Sequence, residues 1–178
     1  MELNQAIETR RSIRRYKEEE VSLEDIKKCI EAGILAPSWK NSQTARYHVV
    51  TSKEVLAQLK KEALPEFNAT NVQNAPVLIV MSYISNRSGY EKDGTPTNEL
   101  GNTWGAYDLG LATQNMLLKA TELGLGTLVM GIRDEAKIRT ILEIPENEAI
   151  VSVIGLGKPD IEPSMPKRKC IEDVTTFN

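Results

Sequence analysis

The chain has 178 residues, 40% of them hydrophobic and 26% charged, proportions of an ordinary globular protein long enough to bury roughly 70% of its unfolded surface. A net charge of −3 and a pI near 5.4 argue against general attraction to nucleic acid or an anionic membrane, so any anion site must be a local cluster. Two cysteines, Cys29 and Cys170, are too few for a disulfide framework and lack metal-ligand spacing, and with no secretory signal or membrane-length apolar run the expected compartment is a reducing cytoplasm.

Leu3, Ala6 and Ile7 share one helical face, which predicts a short amphipathic helix running into Arg10-Arg11-Ser12-Ile13-Arg14-Arg15. Ser22, three residues ahead of Asp25, is close to a capping box. Behind it Leu23, Ile26, Ile30 and Ile34 fall at helical spacing, and Pro37 ends that helix. The polar stretch Pro37-Ser38-Trp39-Lys40-Asn41-Ser42-Gln43 reads as a loop, and residues 47–51 as a strand. Ser52 is placed to cap a helix carrying Val55, Leu56 and Leu59, which stops before Pro65. After Pro76 the continuous apolar run 77–83 suits a strand buried on both faces.

Residues 85–102 are rich in Gly, Asn, Asp and Pro without a period; so long a structureless segment is usually functional or mobile. A helix over about 103–123 follows, apolar on more than one face and stopped by Gly124 as a left-handed cap. Its girth predicts burial by the sheet and by a second subunit. A strand at 126–131, a helix capped by Asp134, a strand at 149–156 and a Pro- and Lys-rich arm complete the chain. With no repeat and no linker, residues 1–178 read as one domain of the α/β (α+β) class, a mixed central sheet flanked by helices.

Several chemistries fall away. Gly155-Leu156-Gly157-Lys158 is not a P-loop, because Ser152 stands where the first glycine belongs and Pro159 where Ser or Thr belongs. Nor is it a dinucleotide fingerprint, whose third glycine is Asp160 here; it reads as a turn after a strand. His48, the only histidine, has no evident partner and reads as structural, which leaves zinc, haem and Ser-His-Asp chemistry without support.

Two basic knots remain, 10–15 and Lys167-Arg168-Lys169. Arginine forks with a serine hydroxyl suit a dianionic phosphate, and a solvated surface patch is the competing reading. Taken with other segments, they resemble the FMN-dependent nitroreductase family over nearly the whole length. Arg10-Arg11-Ser12-Ile13-Arg14 is similar to the family's N-terminal phosphate motif, and 37–43 to its Pro-Ser-x-x-Asn-x-Gln loop. Gln114-Asn115, Leu123-Gly124-Leu125-Gly126-Thr127, Gly155–Pro159 and the 167–169 knot continue the pattern.

The resemblance implies an intertwined homodimer with a C-terminal arm and two shared FMN sites. Arg10, Arg11, Ser12 and Arg14, with Lys167 and Lys169, would hold the phosphate and ribityl chain. Pro37, Ser38, Trp39 and Asn41 would approach from the other subunit. Asn68 would meet the pyrimidine edge, with Asn71 near enough to share a role, and Met130-Gly131 would offer a backbone amide to N5. For Asn68 and Asn71, helix or turn capping is an equal reading. The chain departs from the family at Thr44-Ala45-Arg46, where many members have Pro and an aromatic. It departs again at Trp39, which replaces a small residue and equally suits interface packing, and at Met130, where some members are acidic.

The implied activity is hydride transfer from NADH or NADPH through FMN to a small acceptor such as a nitroaromatic or quinone, with no protein acid or base required. A flavin-binding redox module without turnover and a specialised flavin reaction such as reductive dehalogenation are the alternatives. Nucleic-acid binding through the arginines is disfavoured by the acidic pI.

Overall fold

A computed structural model describes residues 1–178. Its centre is a four-stranded sheet of β1 (Ala45–Val50), β2 (Val77–Ile84), β3 (Gly126–Met130) and β4 (Glu148–Gly157). The order is β1-β2-β4-β3 and each neighbouring pair is antiparallel. Because β4 lies antiparallel between β2 and β3, those two run the same way and are joined by a helical crossover. The sheet's parallel pairing is a single bridge, Ser12 to Thr127, where the N-terminal segment lies along β3.

The period of two sorts β2 between two cores. Leu78 and Val80 face helices α3 (Lys53–Glu62), α4 (Glu66–Asn71) and α6 (Glu135–Leu142), joining Leu56, Leu59 and Ile138. Val77, Ile79, Met81 and Tyr83 face α2 (Leu23–Ile34) and α5 (Thr103–Glu122), joining Ile26, Leu109 and Met116. The expected double-sided burial of this strand is therefore met, Ile84 alone being half-buried. Helix α1 (Leu3–Thr9) packs on α5 through Ala6.

Local signals place the ends. Ser22 Oγ accepts from the Asp25 amide at 3.0 Å, satisfying one orphan donor of α2. Ser22→Ala therefore lowers stability by about 1 kcal/mol, to be read as a shifted urea midpoint; no shift would show the cap to be idle. Asp134 caps α6 in the same way through the Lys137 amide. Gly124, at φ +71°, ends α5 in a Schellman motif, with Leu125 N donating to Ala120 O and Gly124 N to Thr121 O. Ser52 stands at the start of α3 without a side-chain cap bond. Helix α4 has only six residues between Pro65 and Val72, too few to show a helical period in the sequence.

Residues 85–102 form no helix or strand, yet they are tied down. Asn86 N donates to Asn102 Oδ1, Thr97 N to Gly89 O and Trp104 Nε1 to Asn98 Oδ1. The segment is a compact loop whose two ends meet, not a loose excursion.

Candidate functional site

The basic N-terminal segment is built onto edge strand β3. Ile13 N donates to Thr127 O at 2.8 Å, and Ile13 packs over Gly126, where any Cβ would lie 2.6 Å from Ile13 Cγ1. A glycine is needed there for the segment to lie flat. Tyr16 is buried, its OH 3.3 Å from Gly155 O, and burial pushes its phenol well above the usual range. From Tyr16 onward the N-terminal segment runs beside the start of the C-terminal arm: Tyr16 bridges Pro159, Lys17 N donates to Lys158 O, and Arg15 pairs with Asp160 at 3.2 Å.

This pairing turns the arm that carries the second knot back toward the first. Burial holds the Arg10 guanidinium below its ordinary value, and the charges of Arg168 and Arg11 lower it further. Arg10, Arg11, Arg14 and Arg168 make no ion pair with any carboxylate. In a net-acidic chain these guanidiniums are a local concentration of positive charge, and Glu162 lines the same pocket as Arg10 and Arg11. Arg168 is the member of its knot whose charge reaches Arg10; Lys167 and Lys169 are exposed and make no hydrogen bond or ion pair to the arginines. Arg11 donates to Glu8 O and Arg10 O at the end of α1, leaving its buried Nε without a partner. Ser12 is half-buried and Arg14 exposed beside them.

The far end of β3 carries a second group. Asn68, 6% exposed on α4, donates from Nδ2 to Ile132 O at 3.0 Å, so it tethers the exit of β3 and caps neither end of its own helix. Met130 is buried in the core, while Gly131 is exposed with open space about it. Asn71 is half-buried at the end of α4.

Pro37, Ser38, Trp39 and Asn41 lie elsewhere, beside β1. β1 and β3 are opposite sheet edges, three inter-strand spacings or about 14 Å apart, and the arginine segment lies on the outer side of β3. One chain does not bring the two sets together. After α2 the chain makes a tight turn over Trp39–Asn41, with left-handed φ at Lys40 (45°), Asn41 (54°) and Gln43 (50°). Each such residue costs roughly 1–2 kcal/mol, so the surroundings must hold the turn. Gln43 N donates to Ser38 Oγ at 3.1 Å, and Asp108 Oδ2 accepts from Trp39 N at 3.0 Å, with Ser42 Oγ at 3.5 Å. Trp39 packs on Trp104 in a tilted pair at 4.7 Å between ring centres, and Trp104 meets Tyr107 edge-on at 5.5 Å. A cavity of about 290 Å³ beside the turn is lined by Gly33, Pro37, Ser38, Thr44, Tyr47 and Asp108 among others. The hydroxyls of Thr44 and Tyr47 are buried there without partners, as is Trp39 Nε1 nearby.

Two clusters were not foreseen. Asp108 interrupts the apolar stripe Gly105, Leu109, Ala112, Met116 of α5, a signal visible in the sequence as a charge on a buried helical face. The other surrounds His48, whose Nε2 lies 2.7 Å from Glu148 Oε2 and 3.1 Å from Ser82 Oγ. Ser82 also donates to that carboxylate oxygen at 2.5 Å. Because one ring nitrogen meets both groups, the three do not form a Ser-His-acid relay, and His48 has partners that its sequence neighbours did not show. Burial pushes the Cys29 thiol up to about 11, which makes it a packing residue.

A model of the Nitroreductase family matches residues 7–74 and 63–158. The chain belongs to the nitroreductase family. An Archaeoglobus fulgidus protein provisionally named NADH dehydrogenase/NAD(P)H nitroreductase is 36% identical over 165 residues, covering 88% of this chain and 84% of that one. The NADPH-flavin oxidoreductase of Vibrio harveyi is 30% identical over 179 residues, covering 93% and 70%. A crystal structure from Desulfovibrio desulfuricans, provisionally named a nitroreductase and solved in complex with FMN, superposes with a TM-score of 0.74 at 29% identity, covering 99% and 96%. The segments that resemble nitroreductase motifs lie at both edges of the sheet, and no helix is long and apolar enough to cross a membrane.

Proposed function

We propose that the protein is an FMN-dependent oxidoreductase that takes hydride from NADH or NADPH and reduces small acceptors such as nitroaromatics or quinones. The observation that carries this reading is the group of Arg10, Arg11 and Arg168, none of them in an ion pair, at one end of β3, with Asn68, Met130 and Gly131 at the other. FMN has a dianionic phosphate at one end and a hydrogen-bonding ring at the other, so the two groups match its two ends. The unpartnered Arg11 Nε and the open space at Gly131 are further marks of a site that fits this cofactor.

In this reading Arg10, Ser12 and Arg14, with Arg168, Lys167 and Lys169 from the arm, bind the phosphate. Arg11 orients the segment by closing α1. Asn68 holds the Gly131–Ile132 backbone, so that amides there are presented toward the ring. Bound FMN supplies the hydride-exchanging chemistry. The chain's own task is to orient, to exclude water and to place positive charge and donors where negative charge develops.

The active species in this proposal is a homodimer of 1–178 units, in which Pro37, Ser38, Trp39 and Asn41 of one copy complete the site of the other. Their distance from the arginines within one chain supports it, as do exposed apolar residues such as Leu35 (83%) and Phe177 (85%) that a second copy would cover. A cytoplasmic location belongs to the same reading. The purified protein is expected to be yellow, to bleach with NADH or NADPH and to recolour with an acceptor. A colourless protein that takes up no added FMN would overturn the reading, and a monomer that holds FMN fully would overturn the shared site.

A further inference from the structure

We propose that Asp108 is a positioning residue that locks the 37–43 turn to the 85–102 loop and thereby sets affinity for planar aromatic acceptors. The proposal rests on the reading above, in which that turn faces the flavin of the other copy.

Asp108 is 5% exposed, sits on α5 and makes no ion pair. Its Oδ2 accepts from three places in the chain: the Trp39 amide at 3.0 Å, Ser88 Oγ at 2.5 Å and, more distantly, Ser42 Oγ at 3.5 Å. One oxygen therefore joins the left-handed turn, the loop and the helix. Buried carboxylates need such donors, and losing them leaves an unsatisfied charge, so the three segments move as one. Two other contacts follow the same seam: Lys40 pairs with Glu91 of the loop at 3.0 Å, and Trp39 packs on Trp104 with the rings tilted by 48°. Trp104 is in turn pinned to the loop through Asn98. Tyr107, exposed at the end of the series, meets Trp104 edge-on, so the seam gathers three aromatic rings next to the turn, an apolar neighbourhood for an aromatic acceptor.

The chain's two tryptophans, Trp39 and Trp104, both lie in this cluster, so their coupled circular dichroism reports its geometry with or without FMN. The experiment compares wild type, Asp108→Asn and Ser88→Ala by that signal, by FMN titration, and by steady-state kinetics with p-nitrobenzoate and with ferricyanide, which needs no stacking. Asp108→Asn is expected to weaken the tryptophan couplet and to raise KM for p-nitrobenzoate at least fivefold. Because the same turn completes the FMN site, FMN affinity should fall too, but by less than the rise in KM for p-nitrobenzoate. The ferricyanide rate at saturating FMN should stay within twofold. Ser88→Ala should move the same quantities less, and it carries the test if Asp108→Asn does not fold. An unchanged p-nitrobenzoate KM, or an equal loss across FMN affinity and both acceptors, would overturn the proposal. If wild type binds no FMN, the flavin reading fails and the acceptor clause falls with it, while the couplet in the FMN-free variants still decides the tether.

Discussion

Replacing Arg10 or Arg14 with alanine is expected to weaken FMN binding about 10- to 100-fold while leaving the protein folded. A hydrogen bond to a charged group contributes roughly 1.5–3 kcal/mol, and each 1.4 kcal/mol is about tenfold in Kd. The folded protein without FMN holds Arg10 against its own burial and against Arg168 and Arg11, which depress its pKa. A base with a depressed folded pKa disfavours folding while it is protonated, as Arg10 is at all ordinary pH. Arg10→Ala should therefore not lower the melting temperature of the FMN-free protein, although it removes much of the grip. FMN affinity should also fall with added salt, more steeply in wild type than in the variants. Fluorescence titration of FMN at two ionic strengths decides the matter: unchanged affinity in both variants would reduce the cluster to a surface patch.

Gly105→Ala should destabilise the protein even though alanine is the better helix former. Propensity favours alanine by about 0.8–1.0 kcal/mol in a helix interior. Against this, a Cβ on residue 105 would stand 2.2 and 2.3 Å from two ring carbons of Tyr83, a buried side chain of β2 with little room to turn away. Overpacking costs typically 1–3 kcal/mol, and so close an approach belongs at the upper end, giving a net loss of about 1–2 kcal/mol. Five residues further along the same helix, Gly110 has nothing within 4 Å of a built Cβ. Gly110→Ala should therefore gain about 0.4–1 kcal/mol. Urea unfolding of the two variants gives opposite signs if packing against Tyr83 is decisive. A gain at Gly105 would refute that close contact, and a loss at Gly110 would mean that a second subunit packs on that face.

Much of the local structure was legible because its causes lie within a few residues. The period of 3.6 marked α2 and α6, the apolar run marked β2, and Ser22, Gly124 and Asp134 act at the termini where their chemistry places them. Helix α4 escaped because six residues cannot display a period, and the order of residues 85–102 escaped because it comes from side chains meeting across the loop. The site divided in the same way. Arg10 and Arg14 stood out as charges against an acidic background, with the Ser12 hydroxyl between them. Asp108 was passed over, because its worth depends on donors 69, 66 and 20 residues away. Glu148, the partner His48 lacked, is 100 residues distant.

By itself the sequence determined most of the helices and strands and several of their ends, α4 apart, and that arginines are concentrated near the N-terminus against an acidic background. Tertiary structure alone decided that β4 inserts between β2 and β3, and this one choice organises the rest. It sets β1 and β3 on opposite edges, so that the arginines and the Pro37–Asn41 turn are kept apart. It also carries the start of the arm back past Tyr16, alongside the arginine segment. The physical reason is range: propensity and capping act over one or two turns, whereas burial of both faces of a sheet is satisfied only by partners far along the chain.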